Sequence, residues 1–134
     1  MGRQVRVLIA DDQPRARHSL RSLLATWPEI RVVGEAADGV EALRLVEECR
    51  PDVVLIDIRM PVMDGLAATR IVKDRWPEIR VVVLSMYPDY SAEDALAAGA
   101  DAFQLKGKPA EELLAAILVN QPPMRSAMGD VRVR

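Results

Sequence analysis

At 134 residues, half of them apolar and 28% charged, the chain is long enough for one compact domain with a sizeable core, and its composition excludes wholesale disorder. A formal net charge of -2 gives no support to a basic surface that grips nucleic acid by itself. Cys49 stands alone, which excludes an internal disulfide or a zinc cluster and fits a reducing, cytoplasmic setting.

Residues 5–10 form a short apolar run, broken only by Arg6, that stops at Asp11-Asp12, as a buried strand does when it delivers carboxylates to a sheet edge. Pro14 suits the first turn of a helix carrying Leu20, Leu23 and Leu24, which is expected to close at Pro28. A second strand is expected over 30–33. Asp38 then caps a helix whose apolar positions are Val40, Leu43, Leu45 and Val46, ended by Arg50-Pro51. Residues 53–56 make a third strand that runs into Asp57. The segment 59–65 (Arg-Met-Pro-Val-Met-Asp-Gly) reads as a loop with Asp64 as the cap of the next helix, 66–76, which Pro77 stops.

The fourth strand, 81–84, ends at Ser85. Helical character resumes at about Ser91 and stops at Gly99. Residues 101–105 are the fifth strand, and Pro109 opens a last helix bearing Leu113, Leu114, Ile117 and Leu118. Pro122-Pro123 end it, so 1–120 reads as the domain and 121–134 as a linker or tail. Every apolar run is too short to cross a membrane, and neither a signal peptide nor a myristoylation signal is expected. Trp27-Pro28-Glu29-Ile30-Arg31-Val32-Val33 recurs as Trp76-Pro77-Glu78-Ile79-Arg80-Val81-Val82, each copy at a helix-to-strand joint.

Five strand–helix alternations with strands apolar on both faces imply a parallel sheet between two helical layers, a doubly wound α/β sandwich. Ligands of such folds sit beyond the carboxyl ends of the strands. Those ends carry Asp11-Asp12, Asp57, Ser85 and Lys106. Three carboxylates on one rim repel one another unless a hard divalent cation and the Lys106 ammonium relieve them, and magnesium suits oxygen donors and phosphate alike. With a metal beside it, an exposed carboxylate such as Asp57 can attack a phosphoryl group. Nothing on the rim resembles a general base for a carbon substrate.

The ordered set of Asp11-Asp12, 54–65 (Val-Leu-Ile-Asp-Ile-Arg-Met-Pro-Val-Met-Asp-Gly), Ser85 and 98–106 (Ala-Gly-Ala-Asp-Ala-Phe-Gln-Leu-Lys) resembles bacterial response regulator receiver domains over about residues 4 to 120. The stretch from Lys106 to Leu113 is similar to the NarL/FixJ subgroup, whose members usually carry a C-terminal helix-turn-helix. The resemblance implies a flavodoxin-like, CheY-like (βα)5 fold with strand order 2-1-3-4-5.

It also implies roles at single positions. Asp57 accepts a phosphoryl group from a sensor histidine kinase. Mg2+ or Mn2+ is held directly by Asp12, through water by Asp11, and by Asp57 and the Arg59 carbonyl. Lys106 pairs with the phosphoryl oxygens, Ser85 closes on one of them, and Phe103 is the aromatic switch. Such a domain is a phosphorylated switch, not an enzyme acting on external substrates. The changing face is expected to include Tyr87, Tyr90, Ala95, Phe103 and the outer side of the last helix, with homodimer formation on phosphorylation. DNA is contacted only through an output domain outside these residues; a stand-alone receiver acting on a partner protein is the alternative. Two departures stand out. Gly107-Lys108 separate Lys106 from Pro109, where many receivers have a cis proline directly after the lysine. Ser85 replaces the usual threonine, keeping the hydroxyl and losing a methyl.

Overall fold

A computed structural model describes residues 3–86 and 88–119, with 88–91 described by backbone alone. The elements run β1 Val5–Ala10, α1 Pro14–Leu24, β2 Ile30–Ala36, α2 Gly39–Cys49, β3 Val53–Asp57, α3 Gly65–Arg75, β4 Arg80–Ser85, α4 Pro88–Ala97, β5 Ala102–Leu105 and α5 Ala110–Leu118. All pairings are parallel and the strand order is β2-β1-β3-β4-β5, the expected doubly wound arrangement.

Alternation along each strand sends side chains to opposite faces, and two core clusters result. Leu8, Ala10, Val54, Ile56, Val81 and Val83 face a layer made by α2, α3 and α4 through Val46, Val72 and Ala95. Val7, Ile9, Val53, Leu55, Val82 and Leu84 face α1 and α5 through Leu24 and Ile117. Because β1, β3 and β4 are covered on both sides, their residues read as unbroken apolar runs.

Several boundaries differ from expectation. Helix α1 ends at Leu24 rather than near Pro28, because Thr26 and Trp27 donate backbone hydrogen bonds to Leu23 and Leu24 in a closing turn. Strand β2 continues through Gly34 and Glu35 to Ala36 beyond a register shift opposite Val7 and Leu8, its polar residues tolerated at an edge. Helix α4 begins at Pro88, which loses no helical bond in a first turn.

Val40, expected on the apolar stripe of α2, is 49% exposed; the buried face of that helix is Ala42 and Val46. Ala95, expected on the outer face of α4, is fully buried, and Leu96 points outward instead. The expectations for Tyr87, for the Tyr90 side chain and for 121–134 lie outside the described residues.

The caps behave as read. Asp38 accepts from the Glu41 N–H at 2.8 Å and Asp64 from the Ala67 N–H at 2.8 Å. Gly99, at φ +98°, closes α4 with a Schellman pair: its N–H reaches the Leu96 carbonyl, and the Ala100 N–H reaches that of Ala95.

Candidate functional site

The carboxyl ends of β1, β3, β4 and β5 lie side by side, and register puts their last residues on one edge. Ile56 pairs with Ala10, Asp57 with Leu84, and Ser85 with Leu105. Asp11, Asp57, Ser85 and Lys106 therefore arrive together from sequence separations of up to 95 residues. Oxygens of Asp11, Asp12 and Asp57 all lie within 4.8 Å of one another.

Lys106 is aimed at them. Its Nζ donates to Asp11 Oδ2 at 2.9 Å and stands 3.3 Å from Asp57 Oδ1. Asp11 is the buried member, with 5% of its side chain exposed against 15% for Asp57. Its other oxygen accepts from the Gln13 N–H at 2.9 Å, and its carbonyl accepts from Arg17 Nη1 at 2.6 Å. Asp11 thus braces the start of α1 and also presents an oxygen to the rim. Asp12 supplies no cap: the N-cap residue of α1 is Gln13, which makes no side-chain capping bond.

Local structure fixes Asp57 from behind. A Cβ at Gly65 would lie 2.0 Å from the Asp57 carbonyl oxygen, so α3 begins in direct backbone contact with the strand end. The Gly65 N–H donates to the Ile58 carbonyl at 2.8 Å, closing the loop between them. Within that loop Met60 is buried in the core and acts as a packing residue. Arg59 is exposed, and Ser85 is buried at 3% exposure. Phe103 pairs in register with Val83 and is partly buried against the α2–α4 core cluster. Glycine at 107 takes φ +90°, turning the chain after Lys106, and among the described residues no peptide is cis.

Electrostatics follow from this crowding. Burial raises the Asp57 carboxyl above its ordinary value, the charges of Asp11 and Asp12 push the same way, and Lys106 opposes without prevailing. For Lys106 burial acts to lower the ammonium, but the hydrogen bond to Asp11 and the charges of Asp57 and Asp11 outweigh it and carry it upward.

The site opens onto a cleft of about 550 Å³ lined by Asp12, Arg59, Met60, Asp64 and Asp94 among others. Asp94, on α4, and Arg17, on α1, escaped the sequence reading. Each lies within a helix read there only for its apolar spacing, and neither sits at a strand end.

Three hard oxygen donors within one small radius, joined by no histidine or cysteine among the described residues, fit a magnesium-class ion and not zinc. That donor set lies at the carboxyl edge of a β2-β1-β3-β4-β5 sheet beside the ammonium that follows β5, an arrangement typical of the α/β class whose acidic edge accepts phosphoryl groups.

Comparison with known proteins agrees. Residues 7–118 match the family described as the response regulator receiver domain, and the chain belongs to that family. It is 46% identical over 111 residues to the uncharacterized transcriptional regulatory protein YhcZ of Bacillus subtilis, covering 82% of this chain and 52% of that one. It is 41% identical over 98 residues to a protein-glutamate methylesterase/protein-glutamine glutaminase of Pyrococcus horikoshii, covering 73% of this chain and 26% of that one. The signal receiver domain of the putative response regulator NarL from Mycobacterium tuberculosis superposes with a TM-score of 0.81 at 37% identity, covering 87% and 94% of the two chains. The chain spans about half the length of the first of these relatives and about a quarter of the second. Receiver domains undergo phosphorylation and self-dephosphorylation and are not enzymes toward external substrates. No helix among the described residues is long and apolar enough to cross a membrane.

Proposed function

We propose that this chain is the phosphoacceptor receiver of a two-component regulator, taking a phosphoryl group from a histidine kinase onto Asp57. The observation that carries the reading is the meeting of the Asp11, Asp12 and Asp57 oxygens within 4.8 Å, with Lys106 Nζ bridging two of them at 2.9 and 3.3 Å.

Asp12, Asp57 and the Arg59 carbonyl would hold Mg2+ or Mn2+, with Asp11 acting through water. When bound, the ion neutralises the carboxylates and the oxygens of the incoming group. An Asp57 oxygen forms the new O–P bond as the N–P bond to the donor imidazole breaks. The imidazole leaves with the bonding pair and takes a proton from solvent. Lys106 stabilises the negative charge spread over the outer phosphoryl oxygens, and the Ser85 hydroxyl donates to one of them. The product is an acyl phosphate that water later cleaves.

Phosphate adds charge and acceptors at the rim, which draws Ser85 and Lys106 toward it. Ser85 ends β4 and Lys106 follows β5, so the pull reaches Phe103 and the surface of α4, β5 and α5. Homodimer formation there is the output favoured for a NarL/FixJ-type regulator whose helix-turn-helix lies outside this chain. The relationship to YhcZ, named as a transcriptional regulatory protein and matched over 52% of its length, supports that output. The methylesterase relative supports a second reading, in which the receiver controls a partner or domain that never touches DNA.

Incubation with acetyl phosphate and magnesium, followed by intact mass measurement and site mapping, tests the acceptor. Addition of one phosphoryl group on Asp57, absent from Asp57→Asn, is expected. Equal labelling of that variant would falsify the assignment.

A further inference from the structure

On the opposite side of the β5 end from the open cleft, α1 and α5 stand apart over a cavity of about 290 Å³. Its walls are Ala16, Leu20 and Leu23 on α1, Ala110 and Leu113 on α5, with Leu84 of β4 as floor. The α1 positions recur at four and three residues, so one face of the helix lines the space, and the two alanines keep it open. Leu20 and Leu113 also pack on the core cluster below, so the lining is anchored and not merely a surface groove.

The mouth has a different chemistry. Lys106, Gly107 and Lys108 form its rim. Lys106 is committed to Asp11 and Asp57. Lys108 is exposed and has no ion-pair partner among the described residues. A Cβ at Gly107 would meet nothing within 4 Å, so the approach beside the two lysines is unobstructed. Asp11 is the one carboxylate in the wall, and Lys106 offsets its charge.

We propose that this cavity binds a small organic monocarboxylate, its apolar body between α1 and α5 and its carboxylate on Lys108. An apolar pocket with a few placed polar groups is the usual form of a small-molecule site, and about 300 Å³ is the lower end of its size range. That size and the leucine lining reject a nucleotide, and the lining offers no donor set for a metal. The cation at the mouth selects an acid over the corresponding alcohol. The cavity adjoins the phosphoryl-acceptor rim and shares Asp11 and Lys106 with it, but binding there does not require phosphorylation of Asp57.

Titration of the isotope-labelled 134-residue chain with hexanoate, read by amide NMR, tests this directly. Saturable shifts are expected at Leu20, Leu23, Leu113 and Lys108, with 1-hexanol binding several-fold more weakly. Lys108→Glu, at an exposed position that leaves the fold intact, should weaken hexanoate by about fivefold, the scale of one exposed charge contact. Ala16→Leu should fill the space and abolish the saturable component. Shifts that fail to saturate, that map to another face, or that are as strong with 1-hexanol as with hexanoate overturn the proposal. So does a Lys108→Glu variant that binds as the parent does.

Discussion

Asp57 is held in its charged form at a cost. The neighbours that raise its carboxyl, burial first and then Asp11 and Asp12, outweigh the attraction of Lys106. A carboxyl whose folded value is raised binds its proton more tightly in the native state than in the unfolded chain. Stability therefore falls as pH rises from the ordinary aspartate range through the raised value, and the penalty is complete above it. Asp57→Asn removes that penalty and leaves Lys106 its 2.9 Å bond to Asp11. In metal-free buffer at neutral pH the variant is expected to melt higher than the parent. The gap should close as the pH is lowered toward the ordinary aspartate range. Thermal scans of both proteins across pH check this, and a variant that melts lower at neutral pH contradicts it. Lys106 has the opposite sign: its raised value is a stabilising contribution, full below the ordinary lysine range and lost as pH rises through the folded value.

At the scale of elements, the β3–α3 loop shows what the sequence could and could not convey. Asp57 and Asp64 were legible because each obeys a local rule, a strand stop and a helix cap; the close approach of Gly65 to the Asp57 carbonyl was not, since it depends on how α3 docks. The carboxylates and Lys106 were legible for the same reason, since strand ends of a parallel sheet must share an edge. Val40 and Ala95 were misplaced because helix phase depends on where each helix docks, and apolar spacing alone leaves a valine or an alanine free to fall on either side. Arg17 was illegible because its use is a backbone carbonyl six residues away.

Val62 carries no sequence signal of its conformation either. It sits at φ +70°, a left-handed setting rare for a β-branched residue, and is 80% exposed. The loop imposes it through the Gly39-to-Met63 and Gly65-to-Ile58 backbone bonds on either side. Left-handed backbone costs a non-glycine residue about 1–2 kcal/mol. Glycine gives back about 0.5–1 kcal/mol through its freer unfolded chain. Because the side chain packs on little, Val62→Gly is expected to gain roughly 0.5–1 kcal/mol net. Urea unfolding should show a higher midpoint at unchanged slope; a lower midpoint would mean that Val62 makes contacts the strain argument omits.

The whole molecule is polarised along its strands. Acidic groups gather at the carboxyl ends. At the amino ends Asp52 takes the Arg3 guanidinium and the Arg6 backbone N–H, the Arg6 guanidinium donates to the Arg50 carbonyl, and Arg50 lies over the Trp76 ring at 5.4 Å. The duplicated Trp-Pro-Glu-Ile-Arg-Val-Val joints both lie at this second end, leading into β2 and β4. The two ends differ in how their charges are answered. At the amino ends the Asp52 carboxylate is answered by the Arg3 guanidinium, whereas one ammonium stands against three carboxylates at the other. An imbalance of that kind is a binding free energy waiting for a cation, and a cation that binds only the folded chain stabilises it by mass action. At a free concentration a hundred times the dissociation constant the gain is about 2.7 kcal/mol. For a domain of this length that corresponds to roughly 10 °C in the unfolding midpoint. Magnesium chloride should produce the rise, and sodium chloride at equal ionic strength should not, because screening alone cannot supply an ordered ligand shell. Asp57→Asn, which begins with less repulsion and one donor charge fewer, should gain much less. Parallel scanning calorimetry of the two proteins in both salts measures the difference. A parent that responds equally to magnesium and sodium would leave the acidic edge without its ion.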